Sequence, residues 1–275
     1  MWYSFDPAVI LLLSACGLLY VRALRICSRR HLRIGGPQKA SFWTGLALFA
    51  VALLGPFDPL GEELMSAHMA QHLLIADIAA PLLLVGLRSP LLLFYLPRPA
   101  LVAMARRRRL RSALAVLRKP LVAIGIYVIV LYGWHLGVLF EAAVNSDLVH
   151  GLQHQSFVAA SVLVWWSALE PNRRSVPGEL WKIGHILGAR LPGMMLGMAF
   201  IVVRVPLYGG AYGGDDRYWH ISAVADQQSA GAMMLSLDFF VTLFALTFFF
   251  WRSASDHDRG EERTSGRNLT TLRSR

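Results

Sequence analysis

Apolar stretches about as long as a bilayer is thick recur along this chain, and they constrain its fold more than any other feature. A helix needs roughly 20 predominantly apolar residues to cross the hydrocarbon layer. Seven such runs are read from the sequence, at about 7–27, 41–57, 63–86, 120–141, 147–169, 181–205 and 228–251. With 55% hydrophobic and only 16% charged residues, the chain is too apolar for an ordinary soluble domain. The expected fold is all-α: a polytopic membrane protein built as a bundle of seven transmembrane helices. No linker or shift of composition separates a second domain, so residues 1–252 are read as one membrane domain. Residues 253–275, polar and rich in Arg and Ser, read as a disordered cytoplasmic tail.

The net charge of +10 would suit a nucleic-acid binder if it were spread over one surface, but its placement excludes that class. When the loops are assigned to alternate sides, one side holds 24 of the 27 Lys and Arg residues, in 22–40, 87–119, 170–182 and the tail. The opposite loops are acidic, with Asp58, Glu62, Glu63, Glu141, Asp147, Asp215 and Asp216 against a single Arg217. The positive-inside rule then sets the N-terminus outside and the C-terminus in the cytoplasm. Met1 to Asp6 carries no basic residue while Arg22, Arg25, Arg29 and Arg30 follow the first run. That order is the reverse of a signal peptide, so the first span is expected to stay in the mature protein. Residues 88–119 are too short in apolar length to span, are broken by Pro97 and Pro99, and carry Arg106 to Arg109, Arg111, Arg118 and Lys119. They read as an interfacial segment facing anionic lipid headgroups. Cys16 and Cys27 are eleven residues apart on one helix, about 16 Å, which no disulfide bridges; they read as packing residues.

The histidines are sorted by depth. Read as a helix, Glu62 to Gly86 sets Met65, His68, Met69 and His72 at i, i+3, i+4 and i+7, one face of the helix. The fourth run ends with Trp134-His135, and the fifth opens with Asp147 and carries His150 and His154 at i, i+4. The last run is preceded by His220 and opens with Asp226, Gln227 and Gln228, followed by Met233 and Met234. Six of the nine histidines thus fall toward the outer side, while His31, His185 and His257 lie toward the cytoplasm without a companion. Polar groups in spans are costly and mark function. Two H-x-x-x-H pairs on neighbouring helices with a fifth His on a third can close around a metal. Imidazole suits copper and zinc, thioether shifts a site toward Cu(I), and haem held by two histidines fits the same residues. His72, His135 and His154 are expected to converge.

Three charges fall deep inside spans. Asp77 and Arg190 each lie nine residues from the cytoplasmic end of their runs, so a structural ion pair is expected, with Asp238 as a second partner for Arg190. Around Arg190, Gly184/Gly188 and Gly193/Gly197 repeat at the four-residue spacing that permits close helix contact, and Pro192 predicts a kink.

H-M-A-Q-H-L-L with A-P-L-L-L-V-G, Trp134-His135, H-G-L-Q-H-Q-S-F and the A-D-Q-Q opening of the last run, over about residues 40–250, resemble the CtaG family of multi-spanning cytochrome c oxidase assembly factors. The resemblance implies a non-enzymatic role in building a haem–copper oxidase, with oxidase subunits as partners, in a bacterial cytoplasmic membrane. It implies copper handling by His68, His72, His135, His150 and His154; on the residues alone, Met65 and Met69 of the same stripe and Met233 are weaker candidate ligands. After A-D-Q-Q this chain reads S-A-G-A-M-M and lacks the family's aromatic residue. Two other classes stay open on the residues alone. One is a zinc-dependent, ceramidase-like membrane hydrolase using Ser66, Ser156 or Asp147 beside the histidines; the other is a haem-binding electron-transfer protein. A microbial rhodopsin is excluded, because its Schiff base needs a lysine in the last span and the lysines here are Lys39, Lys119 and Lys182.

Overall fold

The computed structural model describes residues 6–169, 180–212 and 220–273, with side chains as far as residue 255. The charges of 170–179 and Asp215, Asp216 and Arg217 lie outside the described residues. The described elements are all helical: α1 (Pro7–Arg29), α2 (Gly36–Leu54), α3 (Phe57–Glu63), α4 (Met65–Leu73), a π-helical turn (Leu74–Ala79), α5 (Ala80–Gly86), α6 (Leu91–Tyr95), α7 (Arg98–Arg106), α8 (Arg108–Leu117), α9 (Pro120–Trp134), α10 (Gly137–Val144), α11 (Asp147–Leu169), α12 (Leu180–Val202), α13 (Gly209–Tyr212) and α14 (Ala223–Arg273).

Among the described residues, four helices are long and apolar enough to cross a membrane by themselves: Pro7–Arg29, the unit Met65–Gly86, Leu180–Val202 and the Ala223–Ser255 part of α14. Two bent pairs raise the number to six if each is one span, α2 with α3 at 44° and α8 with α9 at 79°. By length and composition the described residues therefore offer four to six candidate spans, against the seven read from the sequence. Helix α11 has 23 residues, as many as α1, yet stands outside this set. Its first half carries His150, Gln153, His154 and Gln155, and these polar groups dilute its apolar content. The apolar run 120–141 is likewise not one helix, because α9 stops at Trp134 and the chain resumes as α10.

The main core gathers α4, α9, α11, α12 and α14 around Met65, Met69, Tyr127, Phe157, Trp165, Leu196 and Phe200. Helices α12 and α14 approach so closely that a Cβ on Gly197 would lie 2.9 Å from the carbonyl oxygen of Gly231. Only glycine at both positions permits that contact, as small residues do at membrane helix crossings. The Gly193/Gly197 pair thus faces α14, whereas Gly184 meets nothing and Gly188 touches only Ile124. Helix α12 runs on through Pro192, whose carbonyl accepts the Tyr132 hydroxyl at 3.1 Å. Helix α1 sits at the edge of the bundle, held by a Tyr20–Phe42 ring stack at 3.6 Å and by Arg22 donating to the Phe94 carbonyl. Both cysteines are free, with Cys27 in this smaller core. Helices α7 and α8 bury no residue, and Arg106 to Arg109 are all exposed on them.

Candidate metal centre

Helix α4 begins abruptly. Leu64 is extended (φ −127°, ψ 124°) and has no side chain able to cap the helix it precedes. The cap comes from across the bundle: the buried Asp226 carboxylate, on the first turn of α14, accepts the Met65 N–H at 2.8 Å and the Ser66 N–H at 3.0 Å. A carboxylate here satisfies two orphan donors and complements the positive end of the helix dipole. It fixes the start of the helix that carries the first histidine pair. Met65, His68, Met69 and His72 are all buried along one face, as their spacing requires.

The imidazoles pack against one another. His68 Nε2 and His72 Nε2 are 2.7 Å apart. The ligand atoms of His68, His72 and His150 all lie within 4.8 Å of one another. The His154 ring is 4.9 Å from that of His72 and 4.2 Å from that of His150, so four imidazoles from two helices share one pocket. Phe140 flanks His68 and Phe157 flanks His72, at ring distances of 5.3 and 4.9 Å. Polar atoms in this pocket are left over: His72 Nδ1, His150 Nε2, His154 Nε2 and both amide atoms of Gln153 are buried without a hydrogen-bond partner. Orphaned buried groups of this kind call for an ion or water. Bare imidazole nitrogens at this spacing fit a transition metal bound through nitrogen.

His135 stands apart from the three-histidine group. Its ring lies 6.1 Å from Phe140 and 6.3 Å from Phe157, and these two rings also wall the pocket. Its Nδ1 is 2.7 Å from the Leu131 carbonyl, which can only accept, so Nδ1 carries the proton and Nε2 keeps a lone pair. The Nε2 atom is buried and has no partner. Met233 is elsewhere: it lines a groove with Ala70, Leu73, Leu74 and Phe240, on the side of α4 away from the histidines. That position argues against a ligand role for Met233. His220 is exposed and does not join the group. Gln227 is a strut, accepting from the Leu207 N–H and donating to the Phe200 and Val203 carbonyls.

Sequence reasoning passed over four residues that build the pocket. Gln71 is fully buried and donates to the Ala52 carbonyl and to Asp58; Gln153 is equally buried beside the histidines of α11. The signal was present, since both pairs read H-x-x-Q-H, at 68–72 and 150–154. Tyr208 stacks on Phe140 at 3.8 Å and donates to the His135 carbonyl, and Tyr212 donates to the Gly61 carbonyl; together they close the pocket from the loop after α12. No periodicity marks them, because Tyr208 precedes α13 and Tyr212 ends it, and a helix of four residues is too short to show a face.

Deeper in the bundle, Arg190 on α12 is fully buried, and its Nη1 bonds both Asp77 of the π-helical turn and, at 3.1 Å, Asp238 of α14. The guanidinium lies 5.5 Å from the Tyr127 ring and 5.8 Å from Trp165.

Membrane-length helices that bury a ring of imidazoles at one end and a charge triad at mid-length define a polytopic membrane protein with two built polar centres. The chain belongs to the cytochrome c oxidase caa3 assembly factor family (Caa3_CtaG), whose family model matches residues 18–256. Neither the curated proteins nor the solved structures include a match to it.

Proposed function

We propose that this chain supports assembly of a haem–copper cytochrome c oxidase by holding copper at His68, His72 and His150, with His154 as the neighbouring ligand, and passing it to oxidase subunits. Copper is cargo in this reading and the chain is not an enzyme. One observation carries it: three imidazole ligand atoms lie within 4.8 Å of one another in a pocket where His72 Nδ1, His150 Nε2 and His154 Nε2 are orphaned. Met65 and Met69, buried on the same helix, are the thioethers at hand to favour Cu(I). Rings 4.2–4.9 Å apart favour a single ion over a porphyrin, which needs a slot between its two axial histidines. The three-histidine group contains no carboxylate to act as the general base of a zinc hydrolase. The lysine and arginine asymmetry supports a reading in which this end of the bundle faces the outer side of a bacterial cytoplasmic membrane, with the acidic Asp58, Glu62 and Asp147 at that end to draw cations toward it.

The test measures metal bound by the purified protein after loading with Cu(I) or Zn(II), and copper per haem in oxidase from cells carrying each variant. His72→Ala and His150→Ala are expected to lose at least tenfold in copper affinity and to leave oxidase polypeptides present but copper-poor. Wild-type copper binding in both variants would overturn the proposal. Preferred zinc binding with a hydrolytic activity that depends on His72 would replace it.

A further inference from the structure

Two carboxylates and one guanidinium meet in the centre of the bundle, all nearly or fully buried: Asp77, Arg190 and Asp238. If both acids were ionised, the group would carry one uncompensated negative charge in a medium where unpaired charge is costly. The groups facing it from each packed element are few. Helix α9 contributes the neutral phenol of Tyr127, α11 the indole of Trp165, α12 Arg190 itself, the π-helical turn Asp77 and α14 Asp238. None adds a second positive charge.

The hydrogen bonding is also lopsided for a fixed clamp. A permanent arginine–carboxylate clamp uses the guanidinium fork, two nitrogens against two oxygens. Here the single Nη1 atom serves both acids, while Nε and Nη2 are buried without a partner. Thr242 Oγ1, one turn beyond Asp238 on α14, and Trp165 Nε1 are buried and unpartnered as well. Asp238 is pressed against the backbone of α12, where a Cβ on Gly193 would fall 2.2 Å from Oδ2, so glycine is what lets this acid reach Arg190. Asp77 sits in a π-helical turn, a distortion found frequently at functional sites.

We propose that Asp77, Arg190 and Asp238 form a proton-binding site, in which Asp77 and Arg190 are the permanent ion pair and Asp238 carries one exchangeable proton. Two carboxylates sharing one site hold a proton between them, as acid dyads do. Asp238, bonded to Nη1 at 3.1 Å and pressed against Gly193 of α12, is assigned that proton. The step is an O–H bond formed on Asp238 with a proton from water and returned to water, with no other bond changed. Losing that proton creates a second claim on Arg190, and the unused Nε and Nη2 donors are there to meet it. The site thereby links proton occupancy to the packing of α12 and α14 against the helix that carries His68 and His72. The inference stands whether or not those histidines bind copper.

The test is infrared spectroscopy of the protein in lipid vesicles, unlabelled and with carboxyl-¹³C aspartate, combined with unfolding in detergent. A carboxylic-acid C=O band that shifts with the label at neutral pH, fades at high pH and is absent from Asp238→Asn is expected. Asp238→Asn should match the wild type in stability at neutral pH and lack its loss of stability as pH rises, whereas Asp77→Asn should unfold more readily. Absence of any aspartic-acid band in the folded wild type would overturn the proposal. So would a band that survives Asp238→Asn, or an Asp238→Asn protein destabilised as much as Asp77→Asn.

Discussion

Replacing Asp226 with Ala removes the side-chain cap on α4 and tests how that helix is held. The carboxylate makes two bonds, of 2.8 and 3.0 Å, to the Met65 and Ser66 N–H groups, and the residue is 1% exposed. Water does not replace those bonds at a buried helix start. Loss of a cap costs about 0.5–2 kcal/mol, and bonds to a charged acceptor are worth about 1.5–3 kcal/mol each. Because the buried carboxylate was itself desolvated, part of that gain is offset, and the net expectation is about 2–4 kcal/mol. Asp226→Asn keeps one acceptor oxygen and gives up the charge, so it should lose about half as much. At the lower bound of about 2 kcal/mol, local opening of the first turn becomes about 30-fold more frequent. Hydrogen exchange at the amides of 65–72, measured on protein in micelles, reads this directly, and denaturant unfolding reads the global part. Unchanged exchange and unchanged unfolding in Asp226→Ala would refute the capping argument. Accelerated exchange confined to α14 would refute it as well, because the effect belongs on α4.

Gly231→Ala drives a methyl group to 2.5 Å from the Gly197 carbonyl oxygen, so α12 and α14 must separate; a loss of about 1–3 kcal/mol in unfolding experiments is expected. His185 and His31 should part company although both lie toward the basic end of the chain. His185 is buried with Nε2 3.0 Å from the Val164 carbonyl, and its Ala variant should lose about 1–3 kcal/mol of stability. His31 is exposed, and thermal unfolding of His31→Ala should differ from the wild type by less than about 0.5 kcal/mol.

Helical spacing made the histidines legible. An i, i+3, i+4, i+7 stripe can only be one face, and that face is buried from Met65 to His72. The facing pair on α11 was readable for the same reason. Depth along a span also placed Asp77 and Arg190 together, because residues at equal depth on packed helices can meet. Depth says nothing about rotation, and this is where His135 and Met233 escaped. His135 lies at the level expected, its ring near Phe140 and Phe157 but outside the three-histidine group, and Met233 lines a groove on the other side of α4. Hydropathy could not separate α9 from α10, since the chain stays apolar while it changes direction after Trp134. It also undervalued α11, where the residues that make the pocket are the ones that lower the apolar signal. The cap on α4 was invisible because its donor and acceptor are about 160 residues apart in sequence.

The π-helical turn Leu74–Ala79 keeps the two working halves of one helix in phase. In an α-helix each residue advances the face by about 100°, so an extra residue would rotate everything after it by that much unless the helix widens locally to absorb it, as a π turn does. His68 and His72 lie on one side of that turn and look toward α11, while Asp77 within it looks toward Arg190. Deleting a single residue between 74 and 79 would let the turn relax to an ordinary α-helix at almost no change in hydrophobicity. The halves on either side would keep their bearing, but the residues inside the turn would be re-aimed, and Asp77 would no longer face Arg190 while His68 and His72 face α11. Chain length in this stretch is therefore as tightly constrained as any side chain: Leu can exchange with Ile here, but the residue count must stay fixed for both polar centres to exist on the same helix.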